Sequence, residues 1–369
     1  MFASKLILAC LIAHEIFAQT LSFTVPTSSL SLPFALKHKR NNPLLSTPSP
    51  STDNEESVVR VQRKHNTFQW TNPASQQTHS INYKVEGNKS DPPILLVHGF
   101  GANLNHFRYN FPALVNAGHC VYAVDLLGFG GSDKPKEEEY SIELWVDLLS
   151  TFIQEKSVEN HNGEETKWVV AGNSIGGLCS LGVAAKLQEQ IRGITLFNTS
   201  GGMSSFRYED VPFLLRPILF FVQKVALSPD GYGGKFFENF KTRENVENIL
   251  RSQVYVDTSN VNEELLEILL GPSDDDGAKE VFLKVFGGNP GPTPKSILSE
   301  IDVNLPILAL WGSNDPWTPV DTLGKSLNEF AIAGGYSFDL RVLDGSSHCL
   351  HDEVPEKVHD EMIPWLHNL

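Results

Sequence analysis

Methionine and cysteine are both scarce in this chain, 3 and 4 respectively among 369 residues. Four cysteines cannot staple a fold of this length, which excludes a disulfide scaffold and leaves the structure to a buried apolar core. Positive charge is also short: 29 lysines and arginines face 44 aspartates and glutamates, a formal charge of −15. That balance lacks the basic footprint of a nucleic-acid binder. No apolar stretch approaches the roughly 20 residues of a spanning helix, which excludes a transmembrane segment of that kind. No internal repeat is found. What is present argues for a packed fold: 41% of residues are hydrophobic and 22 are phenylalanine. Neither disordered nor collagen-like chains have that composition.

The two ends of the chain differ in kind. Residues 1–40 carry a net +3, so the acidity belongs to the body, which holds −18. Met1–Lys5 and then Leu6–Ala13 read as a positive n-region and an apolar h-region, with small residues near Ala18 as a cleavage point. Thr20–Thr47 is rich in Ser, Thr, Leu and Pro and has no acid, the composition of an organelle transit peptide. Residues 48–60 read as a linker, so residues 1–64 are expected to be a targeting leader and linker rather than fold. A secretory or endomembrane address, or a functionless frayed terminus, are the alternatives. Cys120, Cys179 and Cys349 have no close pairing and no metal-ligand spacing, so free thiols are expected and no metal or cofactor is called for. Cys349 beside His348 invites a redox role, against which a packed neighbour is the simpler reading.

From about residue 65 the pattern becomes regular. Alternating segments at Phe68–Trp70 and Ile81–Val85 predict an antiparallel pair. Short continuous apolar runs follow at Ile94–Val97, Val121–Val124, Trp168–Ala171, Ile194–Phe197 and Ile307–Trp311, with a last strand at Ser337–Leu343. Helix-period stretches separate them near Asn105–Ala117, Ile142–Glu155 and Ser174–Leu187, and one more closes the chain at Pro355–Leu366. Strands without polar alternation, spaced by amphipathic helices, predict an α/β fold with a mostly parallel sheet of eight strands covered on both faces. Between Phe197 and Ile307 the alternation breaks. Helical segments at Phe213–Val222, Lys235–Phe240, Arg243–Val254, Asn262–Leu270 and Ala278–Phe286 predict an inserted helical cap over residues 201–298. The core then comprises residues 65–200 and 299–369.

Gly172-Asn173-Ser174-Ile175-Gly176 follows an apolar run and opens a helical pattern, which is G-x-S-x-G in strand–turn–helix context. A serine at the tip of so sharp a turn needs small neighbours, and the helix behind it lends its dipole. Serine is a weak nucleophile at neutral pH and needs a base. His348 sits after the last strand, where strand C-termini converge. His351 is its rival, but Asp352 and Glu353 beside it read as acids at a helix start. The base needs an orienting carboxylate. Asp315 lies in the loop after the strand that resumes the sheet, with Asp344 as a turn-residue competitor and Asp125 as a brace for the Gly128–Gly131 turn. The order Ser174, Asp315, His348 fits this architecture. His98-Gly99-Phe100-Gly101 follows another strand, so the N–H groups of Phe100 and Ile175 are the candidate oxyanion donors. His98 itself reads as a turn brace.

These motifs resemble an α/β-hydrolase of the serine-hydrolase type across residues ~65–369. Leu96–Ala102, Asp125–Asp133, Gly172–Gly177 and His348–Glu356, with Gly271–Ser273, Gly277–Phe282 and Gly291–Pro294 in the cap, resemble a narrower group. That group is the plastid-type hydrolases of plants and algae, which includes pheophytinase and chlorophyll dephytylase. The resemblance implies a serine esterase without cofactor acting through an acyl-enzyme on a lipophilic ester, such as the phytyl ester of a chlorophyll pigment. It also implies a plastid address for the two-part leader. Ile175 departs from the leucine usual in the group. The Phe-rich cap offers Phe220, Phe221 and Phe236 as candidate substrate-binding residues. A C–C bond hydrolase or a cofactor-free perhydrolase would use the same triad, and a ligand-sensing protein would use the fold without turnover. A dehalogenase or epoxide hydrolase would need Asp at position 174.

Overall fold

The opening strands β1 (Asn66–Thr71) and β2 (Thr78–Glu86) pair antiparallel, with Phe68 opposite Ile81. Six more follow: β3 (Pro93–Val97), β4 (Cys120–Val124), β5 (Trp168–Asn173), β6 (Ile191–Phe197), β7 (Ile307–Gly312) and β8 (Phe338–Leu343). They assemble in the order β1-β2-β4-β3-β5-β6-β7-β8. β1–β2 and β2–β4 are antiparallel, and every other pair is parallel. The computed structural model describes residues 60–161, 166–203 and 232–369. Residues 1–59 of the expected leader and 204–231 of the expected cap, with Phe220 and Phe221, lie outside the described residues.

Helices α1 (Asn110–Asn116), α2 (Ile142–His161) and α3 (Ile175–Lys186) connect the strands up to β6. The stretch expected as one helix over Asn105–Ala117 is divided. A 3-10 turn at Leu104–Phe107 comes first, and α1 starts at Asn110. Pro112 explains the restart, because a residue without an N–H is tolerated only in a helix's first turn.

Between β6 and β7 the described insertion contains α4 (Tyr232–Phe240), α5 (Arg243–Ile249), a π-helical turn at Leu250–Val254, α6 (Glu263–Leu270), α7 (Ala278–Phe286) and the short α8 (Pro294–Leu298). α9 (Lys325–Gly334) precedes β8, and α10 (Leu350–Glu353) and α11 (Pro355–His367) end the chain.

The core sits on both faces of the sheet, and the strands divide their side chains between them with a period of two. Leu95 and Val97 of β3, Tyr122 and Val124 of β4 and Val170 of β5 pack with Trp145, Leu148 and Phe152 of α2 and Leu178 and Leu181 of α3. Ile94, Leu96, Val121, Ala123, Val169 and Ala171 point the other way, onto Leu114 of α1 and Val358 and Met362 of α11. Both faces being dry explains why these strands read as unbroken apolar runs. The sheet's C-terminal edge is therefore a rigid platform, and the loops leaving β3, β5, β7 and β8 carry the candidate site.

Candidate active site

Ser174 stands between β5 and α3 with φ 56° and ψ −118°, a positive-φ conformation that a residue with a Cβ rarely adopts. Its neighbours from Trp168 to Leu181 are buried, and Ser174 alone among them is half-buried. The flanking glycines are dictated by space. A Cβ on Gly172 would lie 2.1 Å from the Gly176 carbonyl oxygen, and one on Gly176 would lie 2.2 Å from that of Val97. The Ser174 N–H donates to the Phe197 carbonyl at 3.0 Å, and its own carbonyl accepts from Ser200 N–H at 3.0 Å, which fixes the turn from the β6 side.

Asp315 and His348, which the sequence places 33 residues apart, meet directly: Nδ1 and Oδ2 are 2.8 Å apart, and both residues are buried. The carboxylate is saturated with donors. Oδ1 accepts from the Trp317 and Thr318 N–H groups at 2.8 and 2.9 Å. Oδ2 also accepts from Asn198 Nδ2 and Thr318 Oγ1. Burial by itself pushes the Asp315 carboxyl up, but the facing His348 and these donors hold it well below the usual carboxylate range. An ionised Asp315 can only accept, so Nδ1 of His348 carries a proton, which in the neutral imidazole makes Nε2 the acceptor. Asp344 is exposed and takes no part.

Ser174 joins this pair through its neighbour. Asn173 Nδ2 donates to the His348 carbonyl at 3.0 Å and to that of Phe197 at 3.2 Å. Among the described residues no hydrogen bond links Ser174 Oγ to the imidazole, a contact that free enzymes often make only with substrate bound. Trp317, half exposed, packs its ring 5.1 Å from that of His348.

The loop after β3 abuts the serine: a Cβ on Gly99 would stand 3.3 Å from that of Ser174. The next N–H is that of Phe100. Ile175 heads α3, where first-turn N–H groups have no intrahelical acceptor. His98 is a brace. Its Nε2 accepts from Leu126 N–H at 3.0 Å, so its Nδ1–H donates to the Gly99 carbonyl at 2.8 Å. Burial lowers its pKa and keeps it neutral. Asp125 braces the turn as well, accepting from Leu104 and Gly131 N–H at 2.7 and 2.6 Å.

Phe236 lies in a cluster of rings rather than alone. It packs on Phe240, Phe282 and Phe286, and Phe282 reaches Phe100 with centroids 5.0 Å apart. Cys120, Cys179 and Cys349 are free and buried, and burial pushes the Cys349 thiol up, away from the thiolate that redox chemistry uses.

The acids after His351 lie in the first turn of the short α10, as expected, and both are buried among further donors. Asp352 pairs with Arg108, Nε to Oδ1 at 2.8 Å, and its Oδ2 accepts from the Tyr255 phenol O–H at 2.9 Å. Glu353 accepts from Ser347, Val256 and Asp257 N–H groups at 2.6, 2.6 and 2.9 Å. His351 is buried against the rings of His106, Phe107 and Phe197. The donors to Asp352 and Glu353 come from the β6–β7 insertion and from Arg108 and Ser347, which a helix-start pattern does not reveal. Asn173, Asn198, Thr318 and Glu353 are the residues that motif reasoning missed. For Asn198 the signal was its place at the end of a sheet strand.

The chain belongs to the alpha/beta hydrolase fold family, which it matches over residues 92–353. Among its relatives, Lipase 3 of Moraxella sp. (strain TA144) is 28% identical over 162 residues, 43% of this chain and 49% of that protein. Chloroplastic pheophytinase of Arabidopsis thaliana is 24% identical over 356 residues, 87% of this chain and 69% of that one. Epoxide hydrolases are also related. This chain spans less than two thirds of the length of several of these curated relatives, Lipase 3 included. A solved esterase from Thermogutta terrifontis shares the fold at TM-score 0.58 and 20% identity, covering 82% of this chain and 99% of that one.

Proposed function

We propose that this chain is a serine esterase that hydrolyses a lipophilic carboxylic ester through an acyl-enzyme. The observation that carries the proposal is the buried Asp315–His348 pair beside a serine held at positive φ. Ser174 Oγ attacks the ester carbonyl while His348 Nε2 takes its proton, then returns it to the leaving alcohol. Water attacks the acyl-enzyme by the same route. Asp315 holds the imidazole tautomer and faces the imidazolium as it forms. The N–H groups of Phe100 and Ile175 receive the oxyanion, aided by the α3 dipole. Serine at 174 argues against the carboxylate nucleophile that epoxide opening would need.

The ring cluster around Phe236 and Phe282 supports an apolar substrate, because it extends to Phe100, next to the reacting carbonyl. Phe220 and Phe221 belong to the same proposal by their place in the insertion. The pheophytinase relative supports a phytyl ester as the substrate and a plastid as the address of residues 1–64, with the insertion acting as a cap over residues 201–298.

The deciding measurement is hydrolysis of esters graded in chain length, and of chlorophyll a and pheophytin a, by wild type and Ser174→Ala in parallel. Ser174-dependent turnover that rises with chain length is expected. Turnover that survives Ser174→Ala would sink the esterase reading, and release from short esters alone would sink the pigment reading.

A further inference from the structure

The loop that carries His348 is bonded to the β6–β7 insertion from several sides. His348 N–H donates to the Val254 carbonyl at 3.2 Å, and Ser347 Oγ donates to that of Gln253 at 3.4 Å. Asn260 Nδ2 donates to the Asp352 carbonyl at 2.7 Å. Cys349 packs into an apolar group with Leu250, Val254, Tyr255 and Leu265 of the insertion. At the centre of this seam sits Glu353, only 2% exposed. Its Oε2 accepts from Ser347, the residue before the histidine, at 2.6 Å. Its Oε1 accepts from Val256 and Asp257 of the insertion at 2.6 and 2.9 Å.

We propose that Glu353 is a positioning residue for His348, clamping the loop of the general base to residues 256–257 of the insertion. The proposal rests on His348 being the base, as argued above.

The chemistry of the seam explains why glutamate is there. Three N–H donors converge from two directions, so the group between them must accept at both ends. A glutamine would turn its NH₂ toward one of those donors, and an aspartate would be too short to span them. Glu353 makes no ion pair among the described residues, and burial pushes its carboxyl up against the pull of the three donors. An unpaired buried carboxylate opposes stability. Such a group is expected where position matters more than stability. Asp315 thus fixes the imidazole ring, and Glu353 fixes the backbone from which the ring hangs.

The test uses the full chain, a p-nitrophenyl acyl ester and three variants, with Ser174→Ala as a reference for the reading beneath. Glu353→Gln removes one end of the clamp. Asp257→Pro removes the N–H at an exposed position whose φ of −87° lies just beyond the proline range, and Asp257→Ala keeps that N–H. Expected is a fall in kcat of about tenfold or more for Glu353→Gln, and for Asp257→Pro relative to Asp257→Ala, with KM within about twofold, because misplacing a catalytic group slows chemistry without weakening binding. Thermal melts report whether each variant is folded, and if Glu353→Gln is not, the Asp257 pair decides. Equal kcat in Asp257→Pro and Asp257→Ala overturns the proposal, as does a loss carried by KM. If Ser174→Ala is inactive while the clamp variants match their references, the inference fails alone. If Ser174→Ala stays active, the esterase reading fails with it.

Discussion

Asn198 has φ 46° and is fully buried, one of three non-glycine residues at positive φ among those described; Ser174 is another. Strain of this kind collects where geometry serves chemistry. Its Nδ2 donates to Asp315 and its Oδ1 accepts from Gly312 N–H at 3.1 Å, so the side chain ties β6 to the loop that carries the carboxylate. Asn198→Ala removes a hydrogen bond to a charged group, and kcat/KM should fall by about tenfold or more in steady-state assays. A value equal to wild type would mean that Thr318 and the two backbone donors suffice. The glycines of the elbow make a different prediction. An alanine at Gly176 presses its Cβ onto the Val97 carbonyl, which belongs to the central sheet and cannot move cheaply. Gly176→Ala should cost on the order of 3 kcal/mol, read as a lower urea midpoint at unchanged slope.

Among the elements, the ring cluster is where packing and chemistry meet most directly. Phe282 of α7 touches Phe237, Phe240 and Phe286 within the insertion and Phe100 beside the serine. Phe282→Ala should cost about 3–5 kcal/mol in chemical denaturation, and an unchanged midpoint would show that the cluster packs independently of the core. The strands and the G-x-S-x-G turn were legible in the sequence because two dry faces leave short apolar runs, which Gly, Asp or Asn then close. The loop residues Asp315 and His348 were legible because sheet order assigns them to strand ends. Other features were not. The stretch Arg243–Val254 reads as one helix, yet α5 ends at Ile249 and a π-helical turn follows, which delivers the Val254 carbonyl to His348. A 3.6-residue period cannot register that change in winding. α9 was missed because only Leu327 and Ala331 are buried along it, too few for a period to emerge. The role of Glu353 depends on donors almost a hundred residues away, and its neighbours in sequence suggest only a helix start.

For the molecule as a whole, the buried histidines set the response to acid. His106 is 2% exposed, and burial lowers its pKa to about 4. His98 and His351 are buried likewise and lowered for the same first reason. An unfolded histidine titrates near 6.5. Between that value and about 4 the unfolded chain therefore binds more protons than the folded one, so folding stability rises with pH across this window and is lost as pH falls through it. For His106 alone the full loss is on the order of 3 kcal/mol. Glu353 acts in the opposite sense, since a raised carboxyl favours the folded state at lower pH. Asp315, being lowered, is stabilising above the usual carboxylate range and adds its own loss only in stronger acid. His119 and His359 are lowered by burial as well, and five histidines against one glutamate give a net fall in stability from pH 7 to pH 5. Urea midpoints at those two values should show it, and His106→Gln should reduce the slope by as much as one proton. A midpoint that holds or rises on acidification, or a slope unchanged in His106→Gln, would mean that these rings take up protons without unfolding the chain.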